Sequence, residues 1–520
     1  MQNIYDYVII GSGFGGSVSA LRLSEKGYKV LVIEKGDWKK PGDFPETNWN
    51  LKKWLWYPFL GFRGIFKLTF FRHLSVISGV GVGGGSLVYA NTLPIPEDNF
   101  YKSGSWNGLL EWKEELKDYY SLAKKMLGVS PNPQLFDGEK FLRKLADSEN
   151  KINDFEHTDV GVFFGDSERY IPDPYFDGKG PERIGCSFCG KCMTGCNHGA
   201  KNTLDKNYLH LAQNFGAEIL AGNFVTDVNP SNGEYLVYYR KSGSYFAKKY
   251  AIKTKGIIFA GGVLGSVPLL LKLRETSMKD ISMMAGKDIR SNNESLIFVT
   301  SSEKEIDMSK GVAIGAIWKT NENSHLETVR YGSGSGFWRI GVLPMVTEPH
   351  FIKRLGKLFY NTIISDLGLW LKLYFVRNFA KKTIVLLYME DLEGKLMMKR
   401  GKFLPYTKIQ DGKPPNAFLE NAHKLANKYG KMVKGRARTF FLESFSGIPS
   451  TAHILGGAVI GKNTNEGVID TDHKLFGYEN IYVCDGSAIS ANPGVNPSLT
   501  ITAMTERAIS KIPIKSNITT

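Results

Sequence analysis

The chain has 520 residues, 42% hydrophobic and 22% charged, ordinary globular values for a protein too long to be one compact domain. Its 66 Lys and Arg against 51 Asp and Glu leave a formal charge of +15, a field that favours anionic partners such as phosphorylated cofactors, nucleic acid or acidic lipid. No nucleic-acid module is recognisable, and the basic residues are scattered or interleaved with large apolar ones, so lipid is the better match than nucleic acid. Five cysteines, four of them in one short window, are not a secreted disulfide framework. No uninterrupted apolar run of about 18 residues marks a spanning helix, and the first residues run straight into a core strand without room for a leader. The expected location is cytoplasmic, with peripheral contact at the inner face of the membrane.

Tyr7-Val8-Ile9-Ile10 reads as a short strand buried on both faces. It runs into Gly11-Ser12-Gly13-Phe14-Gly15-Gly16, and a helical pattern through Val18, Leu21 and Leu23 then stops at Gly27. A second strand, Lys29 to Ile33, ends on Glu34. Strand, Gly-x-Gly-x-x-Gly, helix, strand and acid in this order form the pattern of a dinucleotide fold. Gly11 permits the tight turn, Gly13 lets backbone approach a pyrophosphate, and Gly16 lets helix and strand pack closely. The helix N-terminus supplies amide donors, and Glu34 is placed to accept from ribose hydroxyls.

A second glycine-rich stretch, Gly79-Val80-Gly81-Val82-Gly83-Gly84-Gly85-Ser86-Leu87-Val88, is framed by apolar residues rather than by linker residues. Glycine among apolar neighbours points to backbone pressed on a flat ligand, which favours a flavin. Near the C-terminus, Ile481-Tyr482-Val483-Cys484 reads as a buried strand delivering Asp485-Gly486. The loop Gly494-Val495-Asn496-Pro497-Ser498 then opens a helix. An acid at a strand end beside a helix N-terminus is a grip for a ribityl chain. Cys484 reads as a core residue.

Together with Ala260-Gly261-Gly262-Val263-Leu264-Gly265-Ser266 and Ala452-His453-Ile454-Leu455-Gly456-Gly457, these pieces resemble the glucose-methanol-choline (GMC) oxidoreductase family, in its cholesterol-oxidase-like branch. The resemblance implies an α/β architecture: a Rossmann-like FAD-binding domain assembled from 1–100, 195–275 and 450–512. A substrate domain, 101–194 and 276–449, would carry a large antiparallel sheet, with segment 186–196 at the seam. Strand-like runs from Glu294 to Ser301, Val312 to Lys319 and Lys382 to Met389 agree. The resemblance further implies FAD contacts at Gly11, Gly13, Phe14, Gly15, Gly16, Glu34, Gly81, Gly84, Gly85, Ser86, Val225, Gly261, Asp485, Gly486, Asn496, Pro497 and Ser498. His453 and Asn496 would be catalytic, the histidine handling the hydroxyl proton while a hydride leaves for the flavin. As bland alternatives, His453 is a turn residue and Asn496 a helix cap. Sterol oxidases also carry a glutamate that moves a proton in shifting a double bond. Ungapped placement puts it at Glu393, in a run that reads better as a polar hairpin turn.

Cys186, Cys189, Cys192 and Cys196 form C-x2-C-x2-C-x3-C, the spacing of a bacterial ferredoxin run, with Asn197 where proline is usual. Three readings stay open: an iron–sulfur cluster (4Fe–4S or 3Fe–4S), a four-cysteine zinc site and reduced thiols in a glycine-rich loop, the compact run fitting iron better than zinc. A cluster would favour a protein or quinone electron acceptor over oxygen. Residues 52–72 and 351–382 both interleave aromatic residues with Lys and Arg, as a membrane-surface element does and as a helix with snorkelling lysines also does. A bulky hydrophobic alcohol, sterol-like or lipid-like, is the expected substrate. The rival readings are a flavin photoenzyme acting on fatty acids and a non-catalytic membrane-associated electron-transfer flavoprotein.

Overall fold

The structure, a computed structural model, describes residues 4–516 apart from 245, 349, 365, 366, 392, 393 and 413. Two seven-stranded sheets organise it. In the first, Glu218–Leu220, Val30–Ile33, Tyr5–Ile10, Lys249–Phe259, Glu234–Lys241 and Asn223–Ser231 lie in that order, and Ile481–Val483 joins the far end of Lys249–Phe259. Strand Lys249–Phe259 serves two partners along its length. Residues 249–254 pair antiparallel with the 223–241 hairpin, and residues 254–259 pair parallel with Tyr5–Ile10. The central strands are buried on both faces, which is why they read as unbroken apolar runs.

Parallel strands point one way, so the turns after Ile10, Phe259 and Val483 all open at one carboxyl edge, the place where such sheets bind ligands. Helices Phe14–Glu25, Val263–Glu275 and Ser498–Ser510 follow those turns. The first is buried on nearly every side, between the sheet and helices Tyr208–Asn214 and Ser498–Ser510. Val18, Ala20, Leu21 and Leu23 are therefore fully inside, with the buried polar residues of this helix confined to the small serines.

The second sheet runs Val342–Pro344, Gly435–Phe440, Ser295–Ser301, Thr383–Glu390, Ser324–Val329, Ile314–Asn321 and Phe155–His157, every pair antiparallel. Three of these strands fall where β-branched runs predict them. Side chains alternate between its faces. Ile297, Val299, Leu326, Ile384, Leu386 and Tyr388 pack under helices Asp137–Ser148 and Glu420–Met432. Leu296, Phe298, Val329, Val385, Leu387 and Met389 form the other face and share a core with Trp54, Phe66 and Trp338. A small sheet of Phe66–Phe70, Ser75–Gly79 and Ser450–Thr451 ties the two halves together.

Residues 52–72 do not form one amphipathic element. They break into a helical turn Leu51–Trp54, the short pair Trp56–Tyr57 and Phe62–Arg63, and strand Phe66–Phe70. Trp54, Trp56 and Phe66 are core residues, with Trp54 stacked on Phe66 at 4.7 Å. Aromatic density here reflects a core around hairpins, because alternation in a short twisted strand mimics helical amphipathicity. Residues 351–382 are helical: Phe351–Phe359, a π-helical turn Tyr360–Ile364, Leu367–Tyr374 and Phe379–Lys382. Among the described residues, no helix is long and apolar enough to cross a membrane.

Candidate active site

Three helix N-termini meet the carboxyl edge of the first sheet, and none has a side-chain cap: Gly13, Gly262 and Pro497 occupy the N-cap positions. Uncapped amides beside positive dipole ends are what a diphosphate binds. A Cβ at Gly13 would meet nothing, whereas at Gly11, Gly15 or Gly16 it would strike backbone at 2.5, 1.6 or 2.1 Å. Gly13 is thus the glycine left open to a ligand, and its three neighbours are glycine for packing. The second glycine stretch lies directly on the first. Gly84, at φ +52°, would bring a Cβ within 2.6 Å of Gly13 Cα, and Gly83 N donates to Ser12 Oγ at 3.1 Å. Gly81 is also in positive φ, Gly85 faces Phe14, and Ser86 Oγ donates to Gly83 O while accepting from Leu204 N. These features form a backbone-lined cradle suited to a dinucleotide.

The acids around the cradle are more committed to the protein than their positions suggest. Glu34 accepts from Ser12 N at 3.0 Å, Ser12 Oγ at 2.8 Å and Gly36 N at 2.8 Å, leaving room for one further donor. Val225 sits in strand Asn223–Ser231, whose first amide bonds Glu34 O, at the same end of the cradle. Asp485 accepts from Gly262 N, Ser266 Oγ, Ser487 N and Ser487 Oγ. Burial still pushes its pKa up. Its carboxylate is saturated, so instead of gripping a ribityl chain by its side chain, Asp485 locks the Gly261–Gly262 turn to the Gly486 turn.

His453 stands where the two sheets meet. Leu455 exchanges both backbone bonds with Arg290 at the entry of the second sheet, while Gly456 N donates to Gly486 O at 2.9 Å. The imidazole Nδ1 lies 2.7 Å from Glu294 Oε1. Glu294 immediately precedes strand Ser295–Ser301 and also accepts from Thr451 Oγ1 at 2.7 Å and Ala452 N at 3.0 Å. With Nδ1–H donated to a carboxylate, Nε2 is the acceptor. Burial works against the imidazolium, but the Glu294 carboxylate, aided by Glu327, outweighs it and raises the His453 pKa. For Glu294 burial pulls upward, and His453 with the Ala452 and Thr451 donors holds the acid below its usual value. His453 is therefore no simple turn residue.

Asn496 is buried, and its Oδ1 has no hydrogen-bond partner among the described residues. It does not cap the helix that follows, whose N-cap is Pro497. Asn292 Nδ2 donates to Val495 O at 2.8 Å, tying this loop to the segment that carries Glu294. Sequence reading finds His453 and Asn496 but not Glu294, whose signal is an acid placed directly before a fully apolar strand. It also misses Glu327, inside strand Ser324–Val329, fully buried with neither carboxylate oxygen hydrogen-bonded among the described residues and with His325 Nε2 at 3.5 Å, and Glu443. The latter accepts from Ser450 N, and burial raises its pKa to about 8. Glu393 lies outside the described residues.

The four cysteines line one cavity of about 280 Å³ together with Lys191, Asn197, His198 and Lys201. Burial pushes the Cys186 thiol up and Cys192 to about 11, so a metal would have to displace their protons. Among the described residues no three His, Cys, Asp or Glu side chains are arranged to hold a metal ion. The cysteines share a cavity without forming a ligand set. Lys201, fully buried, donates to Leu87 O at 3.1 Å, Tyr89 O at 2.8 Å and Cys192 O at 2.9 Å, stitching the cysteine loop to the second glycine stretch. Burial lowers its pKa to about 7. Cys484 is a core residue, as expected.

Comparison with known proteins agrees with this geometry. The GMC oxidoreductase models match residues 182–273 and 410–505, and an NAD(P)-binding Rossmann-like model matches 9–38. The chain is 39% identical to a cholesterol oxidase of Acinetobacter baumannii, over 99% of this chain and 95% of that one. It is 38% identical to a cholesterol oxidase of Mycobacterium tuberculosis, over 99% and 92%. A long-chain-alcohol oxidase of Arabidopsis thaliana is 26% identical over 95% of this chain and 66% of its own. Among solved structures, pyridoxine 4-oxidase from Mesorbium loti superposes with a TM-score of 0.62 at 12% identity, covering 98% of this chain and 99% of that one, which is a likeness of fold. The chain is a member of the GMC oxidoreductase family, an FAD-dependent alcohol oxidoreductase.

Proposed function

We propose that the substrate is a bulky hydrophobic alcohol, sterol-like or lipid-like, converted to a ketone or aldehyde at His453 and Asn496, with oxygen as the electron acceptor. The observation that carries this reading is the His453 Nδ1–Glu294 bond of 2.7 Å. It holds the ring in one tautomer and presents Nε2 as a base for the substrate hydroxyl. Asn496, with its unpartnered Oδ1, is placed to orient that hydroxyl. FAD, when bound, supplies the isoalloxazine ring that accepts the substrate hydride. The cradle residues Gly11, Gly13, Gly84, Gly85, Gly261 and Gly486 would hold it within the segments 1–100, 195–275 and 450–512. The apolar sheet face of Leu296, Phe298, Val385, Leu387 and Met389 is buried in a core with Trp54, Phe66 and Trp338.

Relatives described as cholesterol oxidases and long-chain-alcohol oxidases support both the substrate class and the acceptor. Peripheral contact with the inner face of a membrane belongs to the same reading, supported by the exposed apolar helices at 351–375. The test is anaerobic flavin reduction by cholesterol and by a long-chain primary alcohol, in the wild type and in His453→Gln. The variant should retain FAD and lose about 10²- to 10⁴-fold in rate, the usual worth of a general base. Equal rates would remove His453 from the mechanism. Light-dependent loss of carbon dioxide from a fatty acid would instead favour the photoenzyme. Iron and acid-labile sulfide in the purified protein would favour a cluster and a protein or quinone acceptor over oxygen.

A further inference from the structure

His453 is only as well placed as the segment that delivers it. Thr451 Oγ1 donates to Glu294 Oε1 at 2.7 Å and accepts from His453 N at 2.9 Å, while Ala452 N donates to Glu294 Oε2 at 3.0 Å. These groups follow directly from the strand Ser450–Thr451, which is only two residues long and needs ties beyond its own pairing. One tie is Ser75 N, donating to Pro449 O at 2.8 Å. Another is Ser450 N, which donates to Glu443 Oε1 at 3.1 Å.

Glu443 is itself fixed. It lies on a π-helical turn, Leu442–Ser446, a form of helix frequent at functional positions. Gly447 N and Ile448 N close the turn on Glu443 O and Leu442 O at 3.0 and 3.1 Å. Ser444 Oγ lies 2.6 Å from Thr439 Oγ1 and donates to Pro344 O at 3.3 Å, pinning the turn to the second sheet. Glu443 is buried, and its Oε2 has no hydrogen-bond partner among the described residues. An anion left half-bonded in such a place is costly, and its charged neighbours give no relief. Glu294 opposes its ionisation, the His453 imidazole is bonded to Glu294, and Arg354 directs its guanidinium at the carbonyls of Glu348 and Phe445. Burial therefore keeps the Glu443 carboxyl neutral up to about pH 8, whereas Glu294, held by His453 and two further donors, lies below its usual value. Two acids whose surroundings push them apart in this way take separate roles.

We propose that Glu443 is a positioning residue for the oxidation: it anchors strand Ser450–Thr451 and so, through Thr451 and Ala452, keeps Glu294 on His453 Nδ1; the proposal rests on the alcohol-oxidation reading above. Glu443 acts through Ser450 and works in its neutral form. Ionisation adds a second buried negative charge that acts on Glu294, and like charges in one dry pocket push apart. The acid that fixes the imidazole is then loosened, so activity should fall as the pH rises through about 8.

The experiment follows anaerobic flavin reduction of the FAD-loaded protein by a long-chain alcohol across the pH range, in the wild type, Glu443→Leu and Glu443→Gln. Glu443→Leu leaves Ser450 N unpaired and should lower the maximal rate about tenfold, the kinetic equivalent of one lost hydrogen bond. Half-saturation by the alcohol should change less than about twofold. The acid limb should move to lower pH, because a loosened Glu294 raises the His453 pKa less. Glu443→Gln, which restores the acceptor without an ionisable group, should recover most of the rate and lose the alkaline limb near pH 8. Should the leucine protein fail to fold, the glutamine protein still decides through its melting. A wild-type carboxyl raised from its ordinary 4.5 to about 8 loses stability as the pH climbs between those values. The Tm of Glu443→Gln should therefore pull ahead of the wild type across that interval and keep a constant lead above it. Acid and alkaline limbs that stay in place in both variants, or a Tm lead that does not grow with pH, overturn the positioning role while leaving alcohol oxidation intact. A wild type whose flavin no alcohol reduces overturns the underlying reading instead.

Discussion

A histidine proposed as base toward an alcohol works best with its other nitrogen held, and His453 Nδ1 is held by a carboxylate 159 positions away in the chain. Glu294 both fixes the tautomer and raises the His453 pKa against the pull of burial. Its neutral replacement, Glu294→Gln, removes the larger raising charge and leaves burial opposed only by Glu327, so the His453 pKa falls. Below its pKa the ring is protonated and cannot take the hydroxyl proton. The acid limb of the pH profile of kcat/KM should therefore move to lower pH in Glu294→Gln, while the maximal rate drops because the tautomer is less firmly held. An acid limb that stays in place would separate Glu294 from His453. At this scale His453 and Asn496 were legible in the sequence, since each sits in a short local pattern beside glycine or proline. Glu294 and Glu327 were not, because a lone acid next to or inside an apolar strand looks the same whether it faces solvent or a buried histidine.

Secondary elements act in this protein through their ends. The three long helices behind the cradle have uncapped N-termini, and the sheet brings those ends together because the preceding strands are parallel. Gly84 is where the two glycine stretches touch. Gly84→Ala would place a methyl 2.6 Å from Gly13 Cα in a left-handed backbone conformation, which costs about 1–2 kcal/mol in conformation alone. FAD affinity should fall by about tenfold or more, read by fluorescence titration of the apoprotein, with the far-UV circular dichroism unchanged. Undiminished affinity would detach the second stretch from the cofactor. The first glycine motif was fully legible because its chemistry is local: strand, turn, helix and acid within thirty-odd residues. Residues 52–72 read in the sequence as one amphipathic element, but their alternating aromatics form short strands whose core lies across the chain at Trp338 and Tyr331.

At the scale of the molecule, the helices between 351 and 375 present Ile352 at 83% and Phe375 at 72% exposure, along with exposed Phe351, Phe359, Tyr360, Ile364, Leu367 and Leu371. Lys353, Lys357 and Lys372 lie among them. An apolar surface edged with lysine suits the boundary of an anionic bilayer. In Ile352→Asp with Phe375→Asp, co-sedimentation with phosphatidylserine-containing vesicles should fall at least tenfold, since each buried apolar side chain is worth about 1.5–3 kcal/mol. Turnover of a short, water-soluble alcohol should be retained. Equal vesicle binding by the variant would move membrane contact elsewhere.

By itself the sequence determined the class of cofactor and the family, because each is written in contiguous motifs whose chemistry needs only its neighbours, and the same motifs carry the proposed catalytic pair His453 and Asn496. It also foretold three strands of the second sheet from their β-branched runs. Only the tertiary structure decided which carboxylate holds His453, that Asp485 is saturated by protein donors, that Glu327 is buried beside His325 and that the four cysteines share a cavity without forming a ligand set. These are matters of convergence between segments up to hundreds of residues apart. A side chain's partners there follow from which strands pair and which faces meet, and no local pattern of residue types encodes that.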